Sequence, residues 1–184
     1  MFELQHILDE RRSTLDTLMT ELLVSEISER EAIYFKSNEI LLPNLCNAFL
    51  KRFDGYIGNF IYRIDLVNKG DIKEVQDNFK LFQQSNKLLV NGDKRNMSRF
   101  NGARSNVLYV GIKQSRLKIR IKQHLGCGPS RTLSLHLNHW IPKNIKLKIS
   151  IYEIDSENNE FTSFLEQGFW DSLAPMFGRR KKDV

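Results

Sequence analysis

A chain of 184 residues is long enough for one domain, or for a compact domain with an extra element, and by burying roughly two thirds of its unfolded surface it needs no staples. Hydrophobic residues make up 41% and charged residues 27%, a globular balance that excludes disorder along the whole length. The net charge of +6 and the sequence pI near 9.3 favour polyanionic partners, because each phosphate neutralised by Lys or Arg releases condensed counterions.

The charge is clustered: Lys and Arg are dense from Arg116 to Lys122, from Lys143 to Lys148, and in the tail Arg179-Arg180-Lys181-Lys182. Cys46 and Cys127 are too few for a four-thiolate zinc site. A single disulfide between them has nothing in the sequence to motivate it, so the expected compartment is a reducing cytoplasm. Met1-Phe2-Glu3-Leu4 lacks a basic region followed by an apolar core, so no secretory leader is expected. No run approaches the ~20 apolar residues of a membrane span, and a soluble protein without a membrane partner is the expectation.

Residues 3–24 carry Leu4, Ile7, Leu8, Leu15, Leu18 and Leu22 near a 3.6-residue period, which predicts an amphipathic helix. Ser28 followed by Glu31 is a capping-box pattern and predicts a second helix starting near Ile33. A third helix is expected after Pro43, with Leu45, Phe49 and Leu50 apolar. These helices form an N-terminal extension over residues 1–54, either a cap on the core or a surface for DNA or for a second copy of the chain.

The stretch 59–67 is aromatic and β-branched and reads as a strand. Ile72, Val75, Phe79 and Phe82 step by three and four within a helix over 71–84, and the Asn-, Gly- and Arg-rich stretch 91–105 reads as a loop. Its Lys94, Arg95, Arg99 and Arg104 either touch a nucleic-acid backbone or are simply solvated. A second strand follows at 106–112, then a helix over 116–125 closed by Gly126, a strand at 145–154 with strict alternation, and a helix over 161–173. The order predicts a small α+β domain layered around a sheet.

Chemistry concentrates after residue 108. Cutting a phosphodiester needs a phenol or imidazole to manage the nucleophile's proton, a cation on the phosphate and a carboxylate for a metal ion. Tyr109 lies on the second strand, and Arg116, Arg120 and His124, four residues apart, share one helix face. Gly111 lets the backbone turn or lets a substrate come close. Each residue has a plainer reading: Tyr109 as a core aromatic, Arg120 as part of a solvated basic face, His124 as a helix-end cation and Glu166 as an exposed helix residue. His136 and His139 suggest zinc but lack a third ligand at a standard spacing, which leaves packing or DNA contact.

The segments Tyr109-Val110-Gly111, Leu117-Lys-Ile-Arg-Ile-Lys-Gln-His-Leu125 and Phe164-Leu-Glu-Gln-Gly-Phe-Trp-Asp-Ser-Leu-Ala-Pro-Met-Phe-Gly178 together resemble the GIY-YIG nuclease family. The first looks like the second signature element, the second like the helix with the phosphate-binding arginine, and the third like the terminal helix whose glutamate binds metal. The first signature element is matched by Phe60-Ile61-Tyr62, where Phe60 replaces the family's glycine. A literal Tyr56-Ile57-Gly58 lies upstream without an arginine-bearing helix at the family distance, and is set aside.

The resemblance covers residues 59–180. It implies a GIY-YIG-like α/β/α domain over 55–184 with a central antiparallel or mixed sheet and an insertion at about 68–105. It further implies a DNA endonuclease, of restriction or defence type, working with one Mg²⁺ or Mn²⁺ ion. Its catalytic residues would be Tyr62, Tyr109, Arg120, His124 and Glu166, with Glu166 holding the metal and His124 assisting proton transfer or binding an adjacent phosphate. Gly111, Lys113, Arg116, Lys122 and Arg104 would face the substrate. The implied partner is DNA, with RNA left open, as is a homodimer through the N-terminal helices. A non-cleaving nucleic-acid-binding module on the same fold is the alternative.

Overall fold

The chain is described from a computed structural model covering residues 2–25, 27–90, 94–156 and 158–180, with backbone alone for residues 2–4. Lys181 and Lys182 of the basic tail, Asn91 of the expected loop and the side chain of Leu4 lie outside the described residues. The elements run α1 (Phe2–Val24), β1 (Ile27–Lys36), α2 (Pro43–Leu50), β2 (Ile57–Leu66), α3 (Ile72–Leu88), β3 (Val107–Arg116), α4 (Leu117–Leu125), β4 (Lys146–Ile154) and α5 (Asn159–Leu173). The chain is α+β, and among the described residues four strands form one sheet in the order β1-β4-β2-β3, antiparallel at every junction.

One expected helix is a strand. The Ser28–Glu31 pattern lies inside β1, where Ile33 and Phe35 point into the core while Ala32 and Tyr34 alternate away from it. This period of two outweighs a capping signature made of exposed side chains. β1 pairs with β4 through a bulge at Glu29/Glu31, so the region before residue 54 contributes to the sheet and is not helical throughout.

Alternation along the strands builds a core on each face. Phe60, Tyr62, Ile64 and Leu66 of β2 pack with Leu147, Ile149 and Ile151 of β4 against α2, α3 and α4. Ile61, Val110 and Ile154 point the other way, onto Phe161 and Leu165 of α5, where Leu18 of α1 joins them. The remainder of α1 exposes Leu8, Leu15, Met19 and Leu22. The segment between β2 and β3 is tied down by its aromatics, with Phe79 of α3 and Phe100 packing on Phe177, and Phe79 also on Trp140. Asn86 holds the far end by a pair of bonds with the backbone of Arg95, at 2.8 and 2.9 Å.

Cys46 of α2 and Cys127, just past α4, are joined as a disulfide. The two free thiols behind the expectation of a reducing compartment are therefore a cross-link. No helix among the described residues is long and apolar enough to cross a membrane.

Candidate active site

β3 is an edge strand, and α4 and α5 flank it on opposite faces of the sheet. The helix α4 starts directly after the strand because Ser115 takes a left-handed conformation (φ 74°), and Gly126 (φ 93°) ends it as expected. α5 runs antiparallel along β3: Asn159 bonds Gln114 near its start, Glu166 accepts from the Ile112 N–H at 3.2 Å, and the Leu173 carbonyl accepts from Ser105 at its end. An open cleft of about 470 Å³ follows this edge, with Tyr109, Lys113, Arg120 and Glu166 on its walls. Tyr109, Arg120 and Glu166 thus meet, although α4 and α5 pack on different faces.

Beneath the cleft lies a closed polar network. The Leu135 N–H donates to His124 Nδ1 at 3.3 Å, so the neutral ring carries its hydrogen on Nε2 and donates it to the Tyr62 hydroxyl at 2.9 Å. Arg120 Nε donates to the same hydroxyl at 3.3 Å, and Nη2 donates to Tyr109 at 3.2 Å. Its Nη1 donates to Gln123 Oε1 at 2.9 Å and to the Leu133 carbonyl at 3.1 Å. Of the five N–H groups of a guanidinium, one on Nη2 then remains to face the cleft.

Gly111 lies within β3, not at its end, and stands opposite Tyr62 in the strand register. A methyl group there would stand 2.6 Å from the Tyr62 hydroxyl oxygen and 2.7 Å from Tyr109 Cε1. The glycine makes room for the two phenols, whose rings stack at 6.2 Å between centroids, and the expected approach of substrate to its backbone is replaced by this packing.

Burial separates the roles of these residues. Tyr62 and His124 are fully buried, whereas Tyr109, Arg120 and Glu166 keep part of their surface exposed. Of the two roles that the resemblance implied for His124, proton transfer or contact with an adjacent phosphate, its burial does not suit the second; the ring holds the Tyr62 oxygen from behind. Burial pushes the Tyr62 phenol well above its usual range, with Tyr109 adding to the rise and Arg120 opposing it. Arg104, Arg116 and Lys122 are exposed and lie outside the cleft lining, so of the expected substrate-facing side chains Lys113 alone lines it. Tyr56 bonds Glu31 and is pushed up to about 12, by burial first and then by that carboxylate, which keeps it out of the site. His136 is buried, 2.9 Å from the Thr132 carbonyl, and among the described residues no metal-holding cluster of three His, Cys, Asp or Glu side chains forms.

Gln114, Asn159, Thr162 and Ser163 also line the cleft, and Gln123 orients Arg120. Gln123 was legible as a neighbour of Arg120 three residues along the helix; the Leu133 carbonyl left no trace in the sequence. No family model, curated protein or solved structure matches this chain.

Desolvation first, then the charges of Arg120 and His136, lowers the folded pKa of His124 well below 6.5. A histidine neutral in the fold but protonated when unfolded costs stability as pH falls below its unfolded value, until the folded pKa is reached. Stability in urea should fall between pH 7.5 and 5.5, with this ring contributing up to about 1.4 kcal/mol per pH unit. His136 and His139 shift in the same direction and are present in both proteins, so His124→Gln should show a shallower slope than the wild type. Equal slopes would mean that His124 is not held neutral.

Proposed function

We propose that the chain is a metal-dependent endonuclease of the GIY-YIG type, hydrolysing phosphodiester bonds in DNA. The observation behind this reading is the meeting of Tyr109, Arg120 and Glu166 on one cleft at the β3 edge. A nucleic-acid binder gains nothing from a carboxylate beside its phosphates, whereas a hydrolase uses one to hold a cation. Lys113 and Arg120 give the cleft its cationic wall, and the basic composition suits a polyanionic substrate.

Glu166 suits Mg²⁺ or Mn²⁺ in the manner of a hard oxygen ligand that leaves most coordination positions to water and substrate oxygens. The ion, when bound, supplies Lewis-acid stabilisation of the charge that develops on phosphate oxygens. The remaining work falls to the chain. The remaining N–H of Arg120 reaches the phosphate from a guanidinium already oriented by four hydrogen bonds. Tyr109 accepts from Arg120, which leaves its own proton to orient the attacking water or to exchange with it. Tyr62 and His124 hold that pair in place from inside the core.

The test is cleavage of supercoiled DNA, linear duplex and single-stranded RNA by the full chain, with Mg²⁺, with Mn²⁺ and with EDTA. Metal-dependent conversion of supercoiled to nicked circles is expected. Binding without cleavage of any of these substrates would favour the non-cleaving module instead.

A further inference from the structure

Trp170 stands one helical turn beyond Glu166 on α5. Its indole N–H is buried, yet no acceptor among the described residues lies within hydrogen-bond distance. Buried donors are nearly always satisfied, by protein or by ordered water, because an unmet donor is costly. Beside it is a cavity of about 30 Å³ lined by Tyr109, Glu166, Gln167, Trp170, Gly178 and Arg179. A cavity needs about 10–15 Å³ to hold a water molecule, so this one is large enough. Gly178 (φ 118°) keeps the space open, since a methyl there would stand 3.5 Å from Trp170 Nε1 and 3.6 Å from Tyr109 Cε2.

We propose that this niche binds one water molecule, which accepts from the Trp170 indole and donates to the Glu166 carboxylate, making Trp170 a positioning residue for Glu166. Donor, acceptor and volume meet the requirements of a structural water, which needs two to four polar partners. Ile112 holds one carboxylate oxygen from the strand edge, and the water bridge steadies the group from the helix side. The consequence for catalysis rests on the nuclease reading; the niche itself does not.

Nuclear magnetic resonance on the full chain tests both levels. Trp140, whose indole donates to the Leu135 carbonyl at 2.6 Å, is the internal control. The Trp170 indole proton should show a cross-peak to a long-lived water. Trp140 should show none. Glu166→Leu, which removes the water's acceptor, should weaken or abolish the Trp170 cross-peak. A Trp170 resonance without the water cross-peak overturns the proposal, as does an unchanged cross-peak in Glu166→Leu. In the nicking assay, Trp170→Phe should lower the rate about 10- to 100-fold, as loss of an outer partner of a metal ligand does, and raise the Mg²⁺ concentration needed for half-maximal nicking without altering DNA affinity in EDTA. The NMR signature in a wild type that never nicks DNA would overturn the nuclease reading alone and support the niche.

Discussion

Glu166→Gln is expected to nick supercoiled DNA at least about 10²–10³-fold more slowly than the wild type in Mg²⁺, a loss of several kcal/mol of charge stabilisation. The substitution keeps the shape of the side chain, and the amide oxygen can still accept the Ile112 N–H that holds Glu166 Oε1 at 3.2 Å. The fold and the seating of α5 along β3 should therefore survive, so that a change in rate reports the missing charge. DNA affinity in EDTA should persist or tighten, because a carboxylate beside phosphates repels them when no cation intervenes. Arg120→Ala provides the contrast, since it should weaken binding as well as cleavage. The measurement is a gel shift in EDTA paired with a nicking rate in Mg²⁺. Wild-type nicking by Glu166→Gln would remove Glu166 as the metal ligand.

Gly111→Ala should unfold more readily than the wild type by about 1–3 kcal/mol, the usual cost of overpacking a core. In a domain of this length that lowers the melting temperature by roughly 2–12 °C. Alanine stiffens the unfolded chain and suits a strand better than glycine, so on backbone grounds alone the change would stabilise by about 0.4–1 kcal/mol. The clash decides the sign. The added methyl meets the Tyr62 oxygen at 2.6 Å and Tyr109 Cε1 at 2.7 Å, and Tyr62 cannot retreat without breaking its bonds to His124 and Arg120. Removing that oxygen with Tyr62→Phe should recover part of the loss, but not all of it, since Tyr109 Cε1 remains in the way. Additive effects in this double-mutant cycle would show that Gly111 and Tyr62 are not coupled.

Most strands and helices were legible because they depend on local patterns, whereas the cleft was legible only in part: Tyr109, Lys113, Arg120 and Glu166 line it as named, but Gln114, Asn159, Thr162 and Ser163 went unnoticed. The alternation at 145–154 and the three-and-four spacing around Ile72, Phe79 and Phe82 survive as β4 and α3. Arg120 and His124 could be placed on one helix face from spacing alone, but their different depths could not. His124 is buried because Leu117, Ile121 and Leu125 turn that side of α4 onto the sheet, and only the tertiary packing reveals how far the turn goes. β1 was misread because Ser28 and Glu31 form a plausible cap, while the evidence for a strand lies in its partner β4, more than a hundred residues away. The pairing of Cys46 with Cys127 depends in the same way on α2 meeting the end of α4, which no local pattern encodes.

An edge strand normally offers its outer N–H and C=O groups to any passing strand, and proteins protect such edges with charge, bulges or a covering element. Along β3 that cover comes from α5 and from the segment after it, where the Met176 and Phe177 N–H groups donate to the Val107 and Leu108 carbonyls at 2.8 and 2.9 Å. The Ile112 N–H is occupied by Glu166, the Gln114 side chain is engaged by Asn159, and the Ser105 hydroxyl beside the start of the strand is held by the Leu173 carbonyl. The carboxylate at the centre of the candidate site thus also occupies a donor that a passing strand would otherwise use.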